Sequence, residues 1–137
     1  MAVTIRSGRL ADVEAVLELW QRAGAEPSHT DDVAGLATLM ARDPSALILA
    51  EDDRAIIGSV VAGWDGWRGS IYRLVVDPSH RRLGIGSQLV REAEARLRSH
   101  GAIRMQAIVV ETEERATAFW RATGWDRQAA RLRFVKG

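Results

Sequence analysis

Ile71-Tyr72-Arg73-Leu74-Val75-Val76-Asp77-Pro78-Ser79-His80-Arg81-Arg82-Leu83-Gly84-Ile85-Gly86-Ser87 is the stretch whose reading decides the fold. Ile71 to Val76 is apolar and β-branched, which predicts a strand. Asp77-Pro78-Ser79-His80 ends it, because Pro78 has no N–H to give to a ladder. Gly84 and Gly86 follow Arg81 by three and five residues and let the backbone come close to a ligand. A helix then starts, with Leu89, Val90, Ala93 and Leu97 as its apolar stripe. A strand, a glycine turn and a helix in this order aim free backbone N–H groups and the positive end of the helix dipole at one spot. Arg81 and Arg82 add charge beside it, and Arg forks match phosphate oxygens. The natural guest is a pyrophosphate; the plain alternative is a glycine-rich turn with two solvated arginines.

Upstream, Val3-Thr4-Ile5-Arg6 alternates as an opening strand. Val13, Val16, Leu17 and Trp20 recur at helical spacing. A break from Gly24 to His29 contains Pro27. Thr30 reads as the N-cap of a second helix, with Asp31 and Asp32 in its first turn. Val33, Leu36, Ala37 and Met40 are its apolar face, and Asp43-Pro44 closes it. Ala46 to Ala50 and Ala55 to Trp64 read as a hairpin about Glu51-Asp52-Asp53-Arg54, with Gly58 a candidate bulge. Asp65-Gly66-Trp67-Arg68-Gly69 is the next turn.

Downstream, the pairs Glu92/Arg96 and Glu94/Arg98 fit the wet face of the central helix, and Gly101 suits its end. Ile103 to Val110 reads as a strand. Thr112 caps a short helix carrying Ala116, Phe119 and Trp120, and Gly124 ends it. Trp125 opens an edge strand, and Arg131 to Lys136 alternates as a last one. Trp64, Trp67 and Trp125 lie on edges, which suggests a homodimer if they are exposed.

Composition sets outer bounds. The 137 residues suit a single domain, 1–137. Hydrophobic residues make up 47%, enough for a core, yet no apolar run is long enough to span a membrane. The chain has no cysteine, which removes disulfides, thiol catalysis and zinc–thiolate sites. His29, His80 and His100 lie far apart, so no metal is expected. A net charge of +1 without a basic block gives no footprint for nucleic acid. These features suit a cytoplasmic chain.

Leu74 to Gly86 resembles the acyl-CoA-binding signature of the GNAT superfamily of N-acyltransferases. That signature runs from a hydrophobic strand ending V-x-P to R/Q-x-x-G-x-G/A, and Arg81, Gly84 and Gly86 match it. A dinucleotide-binding turn would want a third glycine at Leu89 and a shorter loop. The element order β-α-α-β-β-β-α-β-α-β-β is also similar to that of small, single-domain bacterial-type members. The resemblance implies an α/β fold with a mixed, mainly antiparallel sheet flanked by helices. Two of its strands, equivalent to 70–76 and 103–110, splay apart to admit the pantetheine arm. It further implies acetyl-CoA as co-substrate, held by Arg81, Arg82, Leu83, Gly84, Ile85, Gly86 and Ser87, with a backbone N–H of Leu74, Val75 or Val76 polarising the thioester carbonyl.

The helix after Thr112 departs from the family pattern N-x-x-A-x-x-F-Y-x-x-x-G-F. Ala116, Phe119 and Gly124 match, but Glu113 stands for the Asn and Trp120 for the Tyr often assigned as acid to the thiolate. An indole N–H is a donor that does not titrate usefully, so Trp120 either shapes the thiol pocket or is core. Glu111 and Glu113 are the candidate bases, each also readable as a surface or capping carboxylate; a water chain is the alternative. Where many members carry a strand Glu, this chain has Arg73. Tyr72, the only tyrosine, can relay a proton or line the acceptor site, or be an ordinary strand aromatic. Asp65 can pair with a substrate amine or simply close its hairpin.

The expected activity is N-acetyl transfer from acetyl-CoA directly to a primary amine of a small molecule or peptide. The alternative is an acyl-CoA-binding or sensor domain of the same fold with weakened catalysis.

Overall fold

The computed structural model describes residues 2–109 and 114–137. Its backbone divides into two compact units, Met1–Ala107 and Ile108–Gly137. The first carries strands β1 (Val3–Ser7), β2 (Leu47–Asp52), β3 (Ala55–Trp64), β4 (Gly69–Val76) and β5 (Met105–Ala107). It also carries helices α1 (Val13–Arg22), α2 (Val33–Arg42) and α3 (Ile85–Ser99). The second carries α4 (Glu114–Ala122).

The sheet runs β1-β2-β3-β4-β5. Its first three pairings are antiparallel and the last is parallel. Period-two alternation gives each face its own helices. Leu47, Leu49, Ile56, Val61 and Val75 share a buried cluster with Val13, Val16, Leu19 and Trp20 of α1 and Leu36 and Met40 of α2. On the other face Gly58 meets Ile85 and Leu89, and Gly69 meets Leu97. The stripe Leu89, Val90, Ala93 and Leu97 is buried as its spacing requires, each large side chain worth about 1.5–3 kcal/mol of transfer free energy.

Several expectations are corrected. The N-cap of α2 is Asp32, not Thr30: its Oδ1 accepts from the Gly35 N–H at 2.7 Å. Arg96 does not use Glu92. It turns inward, donating to the Ala62 carbonyl at 2.7 Å and pairing with Asp43, since a 90%-covered guanidinium needs acceptors where it lies. The β2–β3 turn narrows to Asp53 and Arg54, both at positive φ (47° and 68°), the twist a two-residue hairpin prefers. Residues 125–137 form no strand among the described residues. Leu132 and Phe134 keep the alternating pattern but are exposed, and alternation alone makes no strand without a ladder partner. Among the described residues β5 is likewise limited to three, and Val110 and the expected cap Thr112 lie outside them.

Candidate functional site

Two irregularities in the ladder shape the site. Ala50 pairs with Gly58 and Glu51 with Ile56, so Ile57 is an extra residue on β3, beside the expected bulge. Ser59 pairs with Val75 and Val61 with Tyr72, so Arg73 and Leu74 on β4 face Val60 alone. Arg73 sits at φ +50° to make this second bulge. No residue-type signal marks it in the sequence.

The bulge sets where backbone donors point. The Arg73 carbonyl accepts from Ser59 Oγ at 2.9 Å. A trans peptide points its N–H opposite to its carbonyl, so the Leu74 N–H turns away from Ser59. Further on, Asp77 N–H donates to the Ile57 carbonyl at 2.8 Å. Alternation then puts the Val76 N–H on the edge of β4 away from β3, and that of Val75 on the ladder side. Among the described residues β5 covers that outer edge only from Gly69 to Ile71.

Ser59 is itself a residue that sequence reasoning missed, although a lone hydroxyl in Ile56-Ile57-Gly58-Ser59-Val60-Val61 is a signal. It is fully buried, and its Oγ also accepts from Trp20 Nε1 at 2.8 Å. The Arg73 guanidinium donates to the Asp31 carboxylate and to the Glu26 carbonyl, and lies 5.4 Å from the Trp20 ring centre.

The turn between β4 and α3 follows at once. Asp77 caps it, Oδ1 accepting from the Ser79 N–H at 3.0 Å, and Arg22 of α1 ties to Oδ2 at 3.0 Å. Burial works against the Asp77 carboxylate. The hydrogen bonds from Ser79 and the charge of Arg22 outweigh it and hold its pKa below the ordinary aspartate value. His80 lies 3.8 Å from both the Asp77 and Asp52 carboxylates. Arg82 takes φ +67° and Gly84 φ +79°, a left-handed pair for which only glycine is free of strain. Gly84 is the N-cap of α3, and the helix ladder opens with Gln88 N–H on the Gly84 carbonyl. The N–H groups of Ile85, Gly86 and Ser87 therefore stand free of the helix's own bonds. Among the described residues neither Arg81 nor Arg82 has an ion pair. Arg81 is half-buried and Arg82 and Leu83 are exposed.

A family model described as the acetyltransferase (GNAT) family matches residues 13–125. The chain belongs to the GNAT family of acetyltransferases. It is 34% identical over 110 residues to acetyltransferase ECA0875 of Pectobacterium atrosepticum, covering 80% of this chain and 78% of that one. Ard1 from Thermoplasma volcanium matches its backbone with a TM-score of 0.84 at 22% identity, over 94% of this chain and 86% of that one. The PaiA N-acetyltransferase of Thermoplasma acidophilum, solved with coenzyme A, matches with a TM-score of 0.84 at 18% identity, over 93% and 92%. These two likenesses establish the GNAT fold.

The remaining candidates fall as follows. Tyr72 is half-exposed beside the bulge, its ring against Gly63, where a Cβ would stand 3.2 Å from Cε2. Asp65 Oδ1 accepts from the N–H groups of Arg68 (2.6 Å) and Trp67 (2.7 Å), which hold its carboxyl below the ordinary range. In the second unit Trp120 packs edge-on to Trp125 at 4.8 Å and to Phe119 at 5.6 Å. Glu111 and Glu113 lie outside the described residues. Of the three edge tryptophans only Trp67 is exposed; Trp64 stacks on His100. A separate cleft of about 460 Å³, lined by Arg6, Ser7, Ile48, Glu92 and Arg96 among others, holds none of the signature residues. No helix among the described residues is long and apolar enough to cross a membrane.

Proposed function

We propose that this GNAT chain transfers the acetyl group of acetyl-CoA directly to a primary amine of a small molecule or peptide, its two units working as one domain. One observation carries the reading: N–H groups on β4 and at the start of α3 that are free among the described residues lie at opposite ends of one short turn. The residues fit the co-substrate. Gly84 at φ +79° has nothing within 4 Å of where a Cβ would be, so its surface is bare backbone. Arg81 and Arg82 with the N–H groups of Leu83 to Ser87 hold the pyrophosphate.

Bound acetyl-CoA supplies an acyl carbon activated by its thioester. The Leu74 N–H, and Val76 behind it, donates to the acyl oxygen as charge grows there, the role of an oxyanion hole. The incoming amine loses a proton to Glu111, Glu113 or a water. The C–S bond breaks and the thiolate takes a proton from water or Tyr72. With no cysteine in the chain, a thiol-linked acyl-enzyme has no nucleophile. A second reading, an acyl-CoA sensor with weak turnover, is favoured by Glu113 and Trp120 standing where the family pattern has Asn and Tyr.

Calorimetry with acetyl-CoA, followed by free-thiol release over a panel of primary amines, tests the proposal. Binding with amine-dependent thiol release is expected. Binding with no release over the panel favours the sensor, and absence of binding overturns both.

A further inference from the structure

Ser59 belongs to the core by position but not by chemistry. Among the described residues it is the buried polar side chain of the core, fully covered between Gly58 and Val60. Its hydroxyl is used twice: Trp20 Nε1 donates to it at 2.8 Å and it donates to the Arg73 carbonyl at 2.9 Å. The first bond satisfies a buried indole N–H, and the second pairs the hydroxyl's own proton with a backbone acceptor. The carbonyl it takes belongs to the residue at φ +50° that makes the β4 bulge. Such a backbone persists only where its surroundings over-determine it, and here they do. The carbonyl is held from inside by Ser59, and the guanidinium is held from the α1–α2 segment by Asp31 and Glu26.

Resting on the function proposed above, we infer that Ser59 and Trp20 are positioning residues for acyl transfer. By fixing the Arg73 carbonyl inward they fix the Leu74 N–H outward, toward the acyl oxygen. Neither touches the substrate. Their effect is on how well one backbone donor is aimed, and a misplacement of about 1 Å in such a group can cost about 10²-fold in rate.

The test uses the full chain and acetyl-CoA labelled with ¹³C at the thioester carbonyl. Calorimetry gives the Kd, and isotope-edited infrared spectroscopy reads hydrogen bonding to the bound carbonyl. Wild type should shift the carbonyl stretch below its frequency in water. Ser59→Ala, which leaves the Arg73 carbonyl unheld, should return it toward the free value while the Kd stays within about threefold and kcat falls by about 10²-fold. Ser59→Cys, close in size with a weaker donor, and Trp20→Phe should give intermediate frequencies. They carry the test should Ser59→Ala fail to fold. A wild-type frequency in folded variants that bind acetyl-CoA overturns the inference. Failure of wild type to bind overturns the proposed function instead. Binding without a wild-type shift removes Leu74 as donor and the inference with it.

Discussion

The guanidinium of Arg73, on β4, is paired with the carboxylate of Asp31, forty-two residues earlier in the chain. Both side chains are about four-fifths covered, and Arg73 also donates to the Glu26 carbonyl at 2.7 Å. The pair therefore fastens the segment between α1 and α2 to the bulge. Removing the charge of one partner from a largely covered pair weakens the bonds of the other, and Asp31→Asn should cost about 1–2 kcal/mol. The segment 24–32 should also become quicker to cut by protease. Urea melts and limited proteolysis check this; an unchanged midpoint and cutting rate would show the pair to be ornamental.

The two glycines of the signature should separate strain from contact. Gly84→Ala meets a left-handed backbone and should lose about 1–2 kcal/mol of stability. Gly86 lies inside α3 without a positive φ, so Gly86→Val should melt near the wild-type temperature yet lose acetyl-CoA affinity. Paired melts and calorimetry decide it; full affinity in Gly86→Val would move the pyrophosphate elsewhere.

Much of this was legible beforehand. The strand, Pro78 turn, glycines and apolar stripe of α3 each follow from residue type and spacing, because local sterics and periodicity govern them. The bulge at Arg73 was not, since the groups that bond to this residue, Ser59 and Asp31, are distant in sequence. Arg96 misled for a related reason: i,i+4 spacing favoured Glu92, but burial handed the guanidinium to Asp43. Leu132 and Phe134 show the limit of alternation, a strand pattern without a ladder.

Acid stability should depend on Asp12. Hydrogen bonds from Arg6, two of 2.8 Å, lower its carboxyl pKa against the opposing effect of burial. A depressed folded pKa gives stability that is present above the unfolded value, about 3.9, and lost as pH falls through the folded one. Asp12→Asn should therefore cost about 2 kcal/mol at pH 7. It should also flatten the stability–pH curve below about pH 4. Urea melts from pH 2.5 to 7 check both; parallel curves for the two proteins would contradict the assignment.

Trp120 packs between Phe119 and Trp125. Trp120→Tyr should leave acetyl-CoA binding intact and lower the melting temperature through a partial cavity, with the pH profile of kcat unchanged. A new alkaline limb in that profile would instead put this side chain beside the sulfur, where a phenol can give its proton.

The central claim is that this chain breaks the acetyl thioester by handing its acyl group to an amine. The direct measurement follows free thiol and acetylated amine together, from one reaction of the full chain with acetyl-CoA and a panel of primary amines. For at least one amine the two products should appear in equal amounts, with the rate falling by about 10²-fold in Ser59→Ala. Thiol release no faster than acetyl-CoA's own hydrolysis across the panel, from protein that binds acetyl-CoA, would contradict it.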